Sequence, residues 1–189
     1  MNNSHFRKIT LQQIKTSVQD IIRQVHLSNF HPDYIVGITR GGLMPALMIS
    51  HYLKVPMYTL DVSLRDDTEG GPESNAWMAA DAFGILESEA VELHKSRWDI
   101  TKRKKILIVE DINDSGATLQ WIKDDWQSGC FPDETSSWNS VWDKNVKFAV
   151  IVNNESSDFD DVAYHALTIN KIETPELWVD FPWESWWLD

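Results

Sequence analysis

Apolar residues recur along this chain with two different periods, and their order predicts a succession of helices and strands. The first apolar positions are spaced three to four residues apart, which predicts an amphipathic helix over residues 11–25. Thr10 and Gln13 form a capping-box pattern at the start of this helix. Its apolar face consists of Leu11, Ile14, Val18, Ile21, Ile22 and Val25.

Short apolar runs follow this helix, and helical segments separate several of them. Their composition predicts strands, because β-branched residues are frequent and turn residues bound the runs. Strands alternating with helices are typical of an α/β fold with a central, mainly parallel sheet flanked by helices. The predicted strands are 34–38, 56–61, 106–109, 147–152 and 163–169, and the predicted helices between them are 43–53 and 117–126.

Two stretches break this rhythm, at residues 62–104 and 127–145. Within the first, residues 66–72 are acidic and glycine-rich, a composition expected to move, so we predict either a lid or a surface loop without a role. Residues 76–93 predict an added helix, and residues 127–145 predict an irregular insertion. Many of the ten tryptophans lie in or beside these stretches, where packing or oligomer contacts are expected of them.

The most informative run joins the strand at 106–109 to Glu110, Asp111 and residues 114–118. Adjacent carboxylates at the carboxyl end of a buried strand are acceptors suited to vicinal hydroxyls. Asp114, Ser115, Gly116, Ala117 and Thr118 then offer hydroxyls and a flexible backbone at a helix start, which suits a phosphate. Together they predict a sugar phosphate site, with a buried strand and a capped helix as the simpler alternative.

A second anion site is predicted after the strand at 34–38. Arg40, Gly41 and Gly42 place a cation and two flexible residues at the start of the next helix. An exposed arginine in a tight turn is the alternative. The position at the end of the first strand of a βαβ unit favours ligand binding.

Composition narrows the class of protein. The chain has 189 residues, 42% of them hydrophobic, which predicts one domain over residues 1–189. The net charge of −12 argues against a nucleic acid partner. No apolar run approaches the roughly 20 residues of a membrane span. The polar N-terminus lacks a signal peptide pattern and Cys130 is the only cysteine, so we expect a cytoplasmic protein.

The run from Ile106 to Leu119 resembles the PRPP-binding signature of type I phosphoribosyltransferases. Its Glu-Asp-Ile-x-Asp-Ser-Gly-x-Thr form is most similar to the 6-oxopurine enzymes, such as the bacterial xanthine-guanine and hypoxanthine phosphoribosyltransferases. The resemblance implies a core sheet with a small hood formed by terminal segments. It also implies PRPP binding by Glu110, Asp111 and residues 114–118, with Mg²⁺ as cofactor.

The same resemblance gives roles to other residues. Arg40, Gly41 and Gly42 would bind pyrophosphate, in a loop where related enzymes often have a strained or cis peptide before the basic residue. Asp114 resembles the acid placed near the purine N7, where it would act as the catalytic residue. Its alternative duty is to cap the following helix.

The C-terminal residues 171–189 resemble the hood segment of bacterial xanthine-guanine enzymes. Trp178 would stack on the base, Val179 would contact it through its backbone, and Asp180 would help to hold Mg²⁺. An aromatic tail that closes the core is the alternative. Two departures concern the substrate: Ser63-Leu64 replaces the usual Ser-Tyr pair, and Asn154 stands where the family has a base-contacting lysine.

The resemblance implies transfer of the 5-phosphoribosyl group from PRPP to hypoxanthine, guanine or xanthine in purine salvage, with release of pyrophosphate. Asn154 can donate or accept a hydrogen bond, so a different base is an alternative. A PRPP- or nucleotide-binding regulator, or an inactive homologue, is another. The expected partners are PRPP and a nucleobase, in a homodimer or homotetramer.

Overall fold

The computed structural model describes residues 6–62, 75–86, 98–184 and 186–188 of the chain. Seven strands and five α-helices lie in these ranges, with short 3₁₀ turns at Ile100–Lys102 and Trp186–Leu188. In chain order the elements are β1 Phe6–Lys8, α1 Leu11–Leu27, β2 Tyr34–Thr39, α2 Leu43–Leu53, β3 Met57–Asp61, α3 Ala76–Phe83, β4 Ile106–Asn113, α4 Ala117–Gly129, α5 Thr135–Lys144, β5 Val146–Asn154, β6 Val162–Ile169 and β7 Trp178–Asp180.

Five of the strands form one sheet in the order β3-β2-β4-β5-β6, and every neighbouring pair is parallel. The predicted α/β fold with a mainly parallel central sheet is therefore confirmed. The remaining strands, β1 and β7, pair in parallel as a separate two-stranded sheet from the two ends of the chain. This small sheet corresponds to the hood that the resemblance implied.

Both faces of the main sheet are buried, and successive residues of a strand therefore enter different cores. On β4, Ile106 and Ile108 pack with α3, α4 and α5, whereas Leu107 and Val109 pack with α1 and α2. Such continuous apolar strands are what a parallel sheet covered by helices on both faces requires. The strand ends that carry polar residues are thereby held on a rigid frame.

The first helix forms as its pattern predicts. Thr10 and Gln13 make the capping box, with the Thr10 side chain accepting from the Gln13 N–H and the Gln13 side chain accepting from the Thr10 N–H. Five of the six predicted apolar positions are buried, and Leu11 is exposed. This helix covers the sheet face opposite α3, α4 and α5, where its apolar side chains form part of the core.

Several boundaries differ from the prediction, and three of the differences change the description of the chain. The helix predicted over 76–93 ends at Phe83, because Gly84 adopts a left-handed conformation with φ +81°. Residues 127–145 are not irregular throughout: α4 continues to Gly129 and α5 follows, with its Trp138 fully buried. Strand β4 runs through the acid pair to Asn113, so Glu110 and Asp111 lie within the strand rather than after it.

Several predictions fall outside the described residues. They are the lid at 66–72, the Ser63-Leu64 pair and the part of the added helix at 87–93. Among the described helices, none combines the length and apolar composition needed to cross a bilayer. Part of the aromatic excess is used in packing: Trp142 stacks on Trp126 and on Trp138 beneath the sheet, with ring centroids 5.9 and 5.3 Å apart.

Candidate active site

The predicted anion loops meet where the strand order of the sheet reverses. The chain leaves β2 toward β3 on one side, then crosses back so that β4 lies on the other side of β2. In open parallel sheets a crevice forms at such a switch point, beyond the carboxyl ends of the strands. The loop after β2 carries Arg40 to Gly42, and the end of β4 carries Glu110 and Asp111, so both flank this crevice.

The acid pair is only partly accessible, and its charges oppose each other. The Asp111 N–H donates to Glu110 Oε1 at 3.0 Å. Burial, reinforced by the charge of Asp111, holds the pKa of Glu110 well above its ordinary value. Burial also raises the pKa of Asp111 to about 6; the Glu110 side chain acts against this shift, and the negative charge of Glu184 adds to it. The site therefore has a strongly negative potential that favours hydroxyl donors and cations.

Two glycines allow the loop after β2 to press against β4. A Cβ atom on Gly41 would lie 1.8 Å from Asp111 Oδ2, and one on Gly42 would lie 2.3 Å from the Val109 carbonyl oxygen. A side chain at position 41 would displace the Asp111 carboxylate, and one at position 42 would clash with backbone atoms of β2 and β4. Helix α2 starts after Gly42 with no side-chain cap and no acid in its first turn, which leaves its positive end suited to an anion. Arg40 is exposed at the same loop, and the Thr39–Arg40 peptide is cis, as the resemblance implied.

The loop after β4 leads into a second helix start of the same kind. Helix α4 begins after Gly116, which has φ +89° and no side-chain cap, and its first turn contains no acid. A Cβ on Gly116 would lie 2.6 Å from Phe159 Cβ and 2.8 Å from Ser157 Oγ, so the loop after β5 packs directly on it. The Ser115 hydroxyl and the Thr118 side chain lie at this start. The alternative that Asp114 caps α4 is wrong, because Gly116 is the cap residue.

Asp114 instead pairs with a residue that no sequence motif marked. Lys171 Nζ donates to Asp114 Oδ2 at 2.8 Å, and both side chains keep about a quarter of their surface exposed, 22% and 25%. Lys171 lies in the loop between β6 and β7, 57 residues from Asp114. Lys171 lies at the same crevice because of the fold, and no local sequence pattern indicates this position.

The Asn154 side chain is buried, and protein groups use both ends of its amide. Its Nδ2 donates to the Asp114 carbonyl oxygen at 2.9 Å. Its Oδ1 accepts from the N–H of Lys171 at 3.1 Å and from the Ser156 hydroxyl at 2.8 Å. The predicted contact between this amide and a base stays a prediction, and its observed role is to join the loop after β4 to the loop after β6.

The hood places its aromatic residue in solvent. Trp178 begins β7 with 49% of its surface exposed, whereas Val179 is buried at 7%. The Asp180 carbonyl oxygen accepts from the Ile9 N–H at 2.9 Å, which continues the pairing of β7 with β1. Glu184 is an acid of this segment whose charge acts on Asp111. Glu184 is therefore a second residue near the site that the sequence reasoning did not single out.

The carboxylates of the site are suited to a magnesium ion that is bound together with a diphosphate. Within the described ranges, no three side chains of His, Cys, Asp or Glu form a ligand cluster. Mg²⁺ is usually bound through one or two carboxylates together with water and substrate phosphate oxygens. Carboxylates with raised pKa values beside two helix starts that lack a side-chain cap match that requirement, since a cation relieves the repulsion between the carboxylates.

Comparisons with known proteins identify the family of this chain. The model of the family described as phosphoribosyl transferase domain matches residues 9–186. Xanthine phosphoribosyltransferase 1 of Saccharomyces cerevisiae is 23% identical over 190 residues, covering 94% of this chain and 88% of that protein. Hypoxanthine-guanine phosphoribosyltransferase of Schizosaccharomyces pombe is 23% identical over 179 residues, covering 84% and 80%.

A solved structure supports the fold itself. The Helicobacter pylori xanthine-guanine-hypoxanthine phosphoribosyltransferase superposes with a TM-score of 0.63 at 17% identity, covering 97% of each chain. At that identity the likeness concerns the fold alone. Because the family model extends over nearly all of the described chain, from Ile9 to Trp186, this protein belongs to the phosphoribosyltransferase family.

Proposed function

We propose that this protein transfers the 5-phosphoribosyl group from PRPP to a purine base, with hypoxanthine, guanine and xanthine as the first candidates. One observation carries the proposal. At the switch point of the sheet, two half-buried carboxylates lie between two helix starts without a side-chain cap, and glycines at each start pack closely against neighbouring residues. That arrangement offers acceptors for ribose hydroxyls and two separate places for phosphate groups.

The relatives narrow the base class. The two yeast proteins are named for xanthine and for hypoxanthine and guanine, and the Helicobacter structure carries all three bases in its name. We extend the purine class to this chain by analogy with them. The exposed Trp178 ring supports the extension, because a flat apolar face is suited to stacking on a purine.

In the proposed complex, Glu110 and Asp111 accept hydrogen bonds from the ribose 2′- and 3′-hydroxyls. The 5′-phosphate lies at the start of α4, within reach of Ser115, Thr118 and the backbone from Gly116 to Ala117. Pyrophosphate lies at the loop of Arg40, Gly41 and Gly42, at the start of α2. Each phosphate group thus faces a positive helix end, which offsets the net charge of the chain.

The reaction breaks the bond between C1′ and the pyrophosphate oxygen and forms one between C1′ and a ring nitrogen of the base. Positive charge on the ribose ring is favoured by the carboxylates around it. The ring nitrogen loses its proton, and in this proposal Asp114 accepts or shares a proton from the base. Mg²⁺, held with the help of Asp180 or Glu184, would neutralise charge on the departing pyrophosphate.

The test is pyrophosphate release from PRPP and Mg²⁺ in the presence of a panel of purine and pyrimidine bases. We expect release with oxopurines, and at least 100-fold less with Asp111→Asn, since a neutral amide is a poorer acceptor for two hydroxyls. Asp143→Asn, an exposed acid on α5, is the matched control and should retain wild-type activity. PRPP binding without release for any base would overturn the enzyme and favour a PRPP-binding regulator.

A further inference from the structure

The last residue of β4 is an asparagine whose side chain lies in the core. Asn113 is 1% exposed and comes directly before the loop after β4. Its Nδ2 donates to Asn153 Oδ1 at 2.9 Å and to the Phe159 carbonyl oxygen at 3.0 Å. Its Oδ1 accepts from the Ser157 hydroxyl at 2.9 Å. Both donors of the amide are therefore used, and the function proposed above gives this amide no role.

These contacts hold the loop after β5, residues 155–161, in place. Two of the partners of Asn113, Ser157 and Phe159, belong to this loop. The Ser157 hydroxyl also accepts from the Phe159 N–H at 3.2 Å, so one hydroxyl links the amide to the backbone of the loop. The Phe159 ring is buried and meets the Phe148 ring edge-on, with centroids 5.1 Å apart. The loop is thus fixed to both β4 and β5.

The loop after β5 also fixes the backbone at the start of α4. The Asp158 N–H donates to the Ser115 carbonyl oxygen at 3.2 Å. The Asn154 amide holds the preceding carbonyl oxygen, that of Asp114, at 2.9 Å. In a trans peptide the N–H points away from the C=O of the same unit. The N–H groups of Ser115 and Gly116 are therefore turned away from the loop after β5.

The packing between the two loops leaves little room for adjustment. A Cβ on Gly116 would lie 2.6 Å from Phe159 Cβ and 2.7 Å from the Phe159 nitrogen. On α4, the Lys123 ammonium forms an ion pair with Asp161 and lies 5.6 Å from the centre of the Phe159 ring. The loop after β5 therefore contacts the first two turns of α4, and a shift of this loop would displace Gly116.

The side chains of the loop after β5 are unsuited to binding a phosphate directly. Four of them are exposed carboxylates, which accept hydrogen bonds and repel an anion, namely Glu155, Asp158, Asp160 and Asp161. This loop can therefore favour a phosphate only through the backbone that it holds.

We propose that Asn113 is a positioning residue for the 5′-phosphate, and that it acts by holding the loop after β5 against the loop after β4. The proposal rests on the function proposed above and adds a residue that does not touch the ligand. With this support, the Ser115 and Gly116 N–H groups point at the 5′-phosphate before it binds, so no backbone rearrangement opposes binding. Pyrophosphate at residues 40–42 does not depend on the same support.

The test separates the two phosphate sites with two ligands, PRPP and pyrophosphate, each measured by titration calorimetry in the presence of Mg²⁺. The variant is Asn113→Leu, which has a similar volume but no side-chain hydrogen-bonding groups. We expect it to lose about 10- to 100-fold in PRPP affinity, because hydrogen bonds to a charged group are misdirected. Its affinity for pyrophosphate should stay within about twofold of the wild type. A general loosening of the protein would weaken both ligands alike.

Ser157→Ala tests the same support with a smaller change, since it removes only one hydroxyl. It should lose about 3- to 10-fold in PRPP affinity. It should add little in the Asn113→Leu background, because both side chains act through the same loop. Asn139→Ala, an exposed asparagine on α5, is the matched control and should keep both affinities. Circular dichroism checks the folding of each variant, and Ser157→Ala decides the question if Asn113→Leu does not fold.

Three results would overturn the inference: no PRPP binding by the wild type; an unchanged PRPP affinity in the folded variants of Asn113 and Ser157; or equal losses for PRPP and pyrophosphate. The function proposed above is judged by a different measurement, the release of pyrophosphate. A wild type whose PRPP affinity depends on Asn113 but that releases no pyrophosphate with any base would retain the inference and refute the enzyme.

Discussion

The two sides of the candidate site are built in different ways. The sugar-phosphate side, residues 40–42 and 110–118, lies on the central strands of the main sheet, where glycines bring backbones into contact. The side proposed for the base, residues 178–180 with the loop of Lys171, lies on that loop and on the two-stranded hood, where Trp178 is half exposed. A single asparagine amide, that of Asn154, connects the two.

This difference has a functional meaning. Atoms fixed by close backbone packing on both cores of a sheet cannot move independently, so the sugar-phosphate side tolerates little change. A loop held by side-chain hydrogen bonds can exchange one residue for another at small cost to the fold. A protein with this division can keep its PRPP site while its base preference changes. We expect substitutions on the two sides to have separate effects on PRPP and on the base.

The largest effect is expected from Gly41→Ala, on the sugar-phosphate side. The new Cβ would lie 1.8 Å from Asp111 Oδ2, so the carboxylate and the loop after β2 must move apart. A displacement of about 1 Å in a positioning group can cost roughly 100-fold in rate. We expect kcat/KM to fall by at least that factor, measured by pyrophosphate release, while circular dichroism shows a folded protein.

Gly129→Ala is the matched control, because a Cβ at that position meets no atom within 4 Å. Its kcat/KM should stay within about twofold of the wild type, since a surface substitution without a new contact rarely matters. If Gly41→Ala retains full activity, the tight approach of the two loops is not part of the PRPP site. The contrast between the two sides would then lose its structural basis.

The two sides also differ in how well the sequence predicts them. Residues 106–118 are contiguous, so strand, acid pair and helix start could be predicted together from one pattern. The same holds for Arg40 to Gly42, whose place after a strand is visible locally. Lys171 could not be found in this way, because its contact with Asp114 spans 57 residues and depends on the conformation of a loop.

The errors in the elements have similar causes. Residues 76–93 have a helical composition, but Gly84 ends the helix early through its left-handed backbone. The stretch 127–145 contains Gly129 and Pro132, which suggested a loop, yet α5 forms between them and β5 because Trp138 and Val141 bury themselves in the core. In both cases a tertiary or single-residue effect outweighs the average propensity of the segment.

A smaller effect is expected from Trp178→Ala, on the base side. Stacking between an aromatic side chain and a base is worth about 1–3 kcal/mol, so the KM for the base should rise roughly 10-fold. The KM for PRPP should not change, since Trp178 lies on the hood rather than on the main sheet. Because the ring is half exposed without a ligand, its loss should leave the melting temperature nearly unchanged.

Trp186→Ala serves as the control for removal of an exposed indole, as this side chain is 70% exposed near the C-terminus. It should leave both KM values as in the wild type. A rise in the KM for PRPP that equals the rise for the base would contradict the prediction. Such a result would mean that the hood organises the whole crevice and that the two sides are not separable.

The smallest effect concerns stability. The ionised carboxylate of Asp111, on the sugar-phosphate side, lowers the free energy of unfolding. The pKa of Asp111 is raised from an ordinary 3.8 to about 6 by burial and by Glu184. Between about pH 4 and pH 6 the folded state therefore binds more protons than the unfolded state at this group, so its contribution to stability falls as the pH rises. We expect Asp111→Asn to stabilise the unliganded protein at pH 7 by on the order of 1 kcal/mol. At pH 4.5 the gain should shrink, because wild-type Asp111 is then largely neutral.

The gain is measured by urea unfolding of the wild type, Asp111→Asn and the control Asp143→Asn at pH 7 and at pH 4.5. A gain of equal size at the two pH values would show that ionisation of Asp111 does not oppose folding.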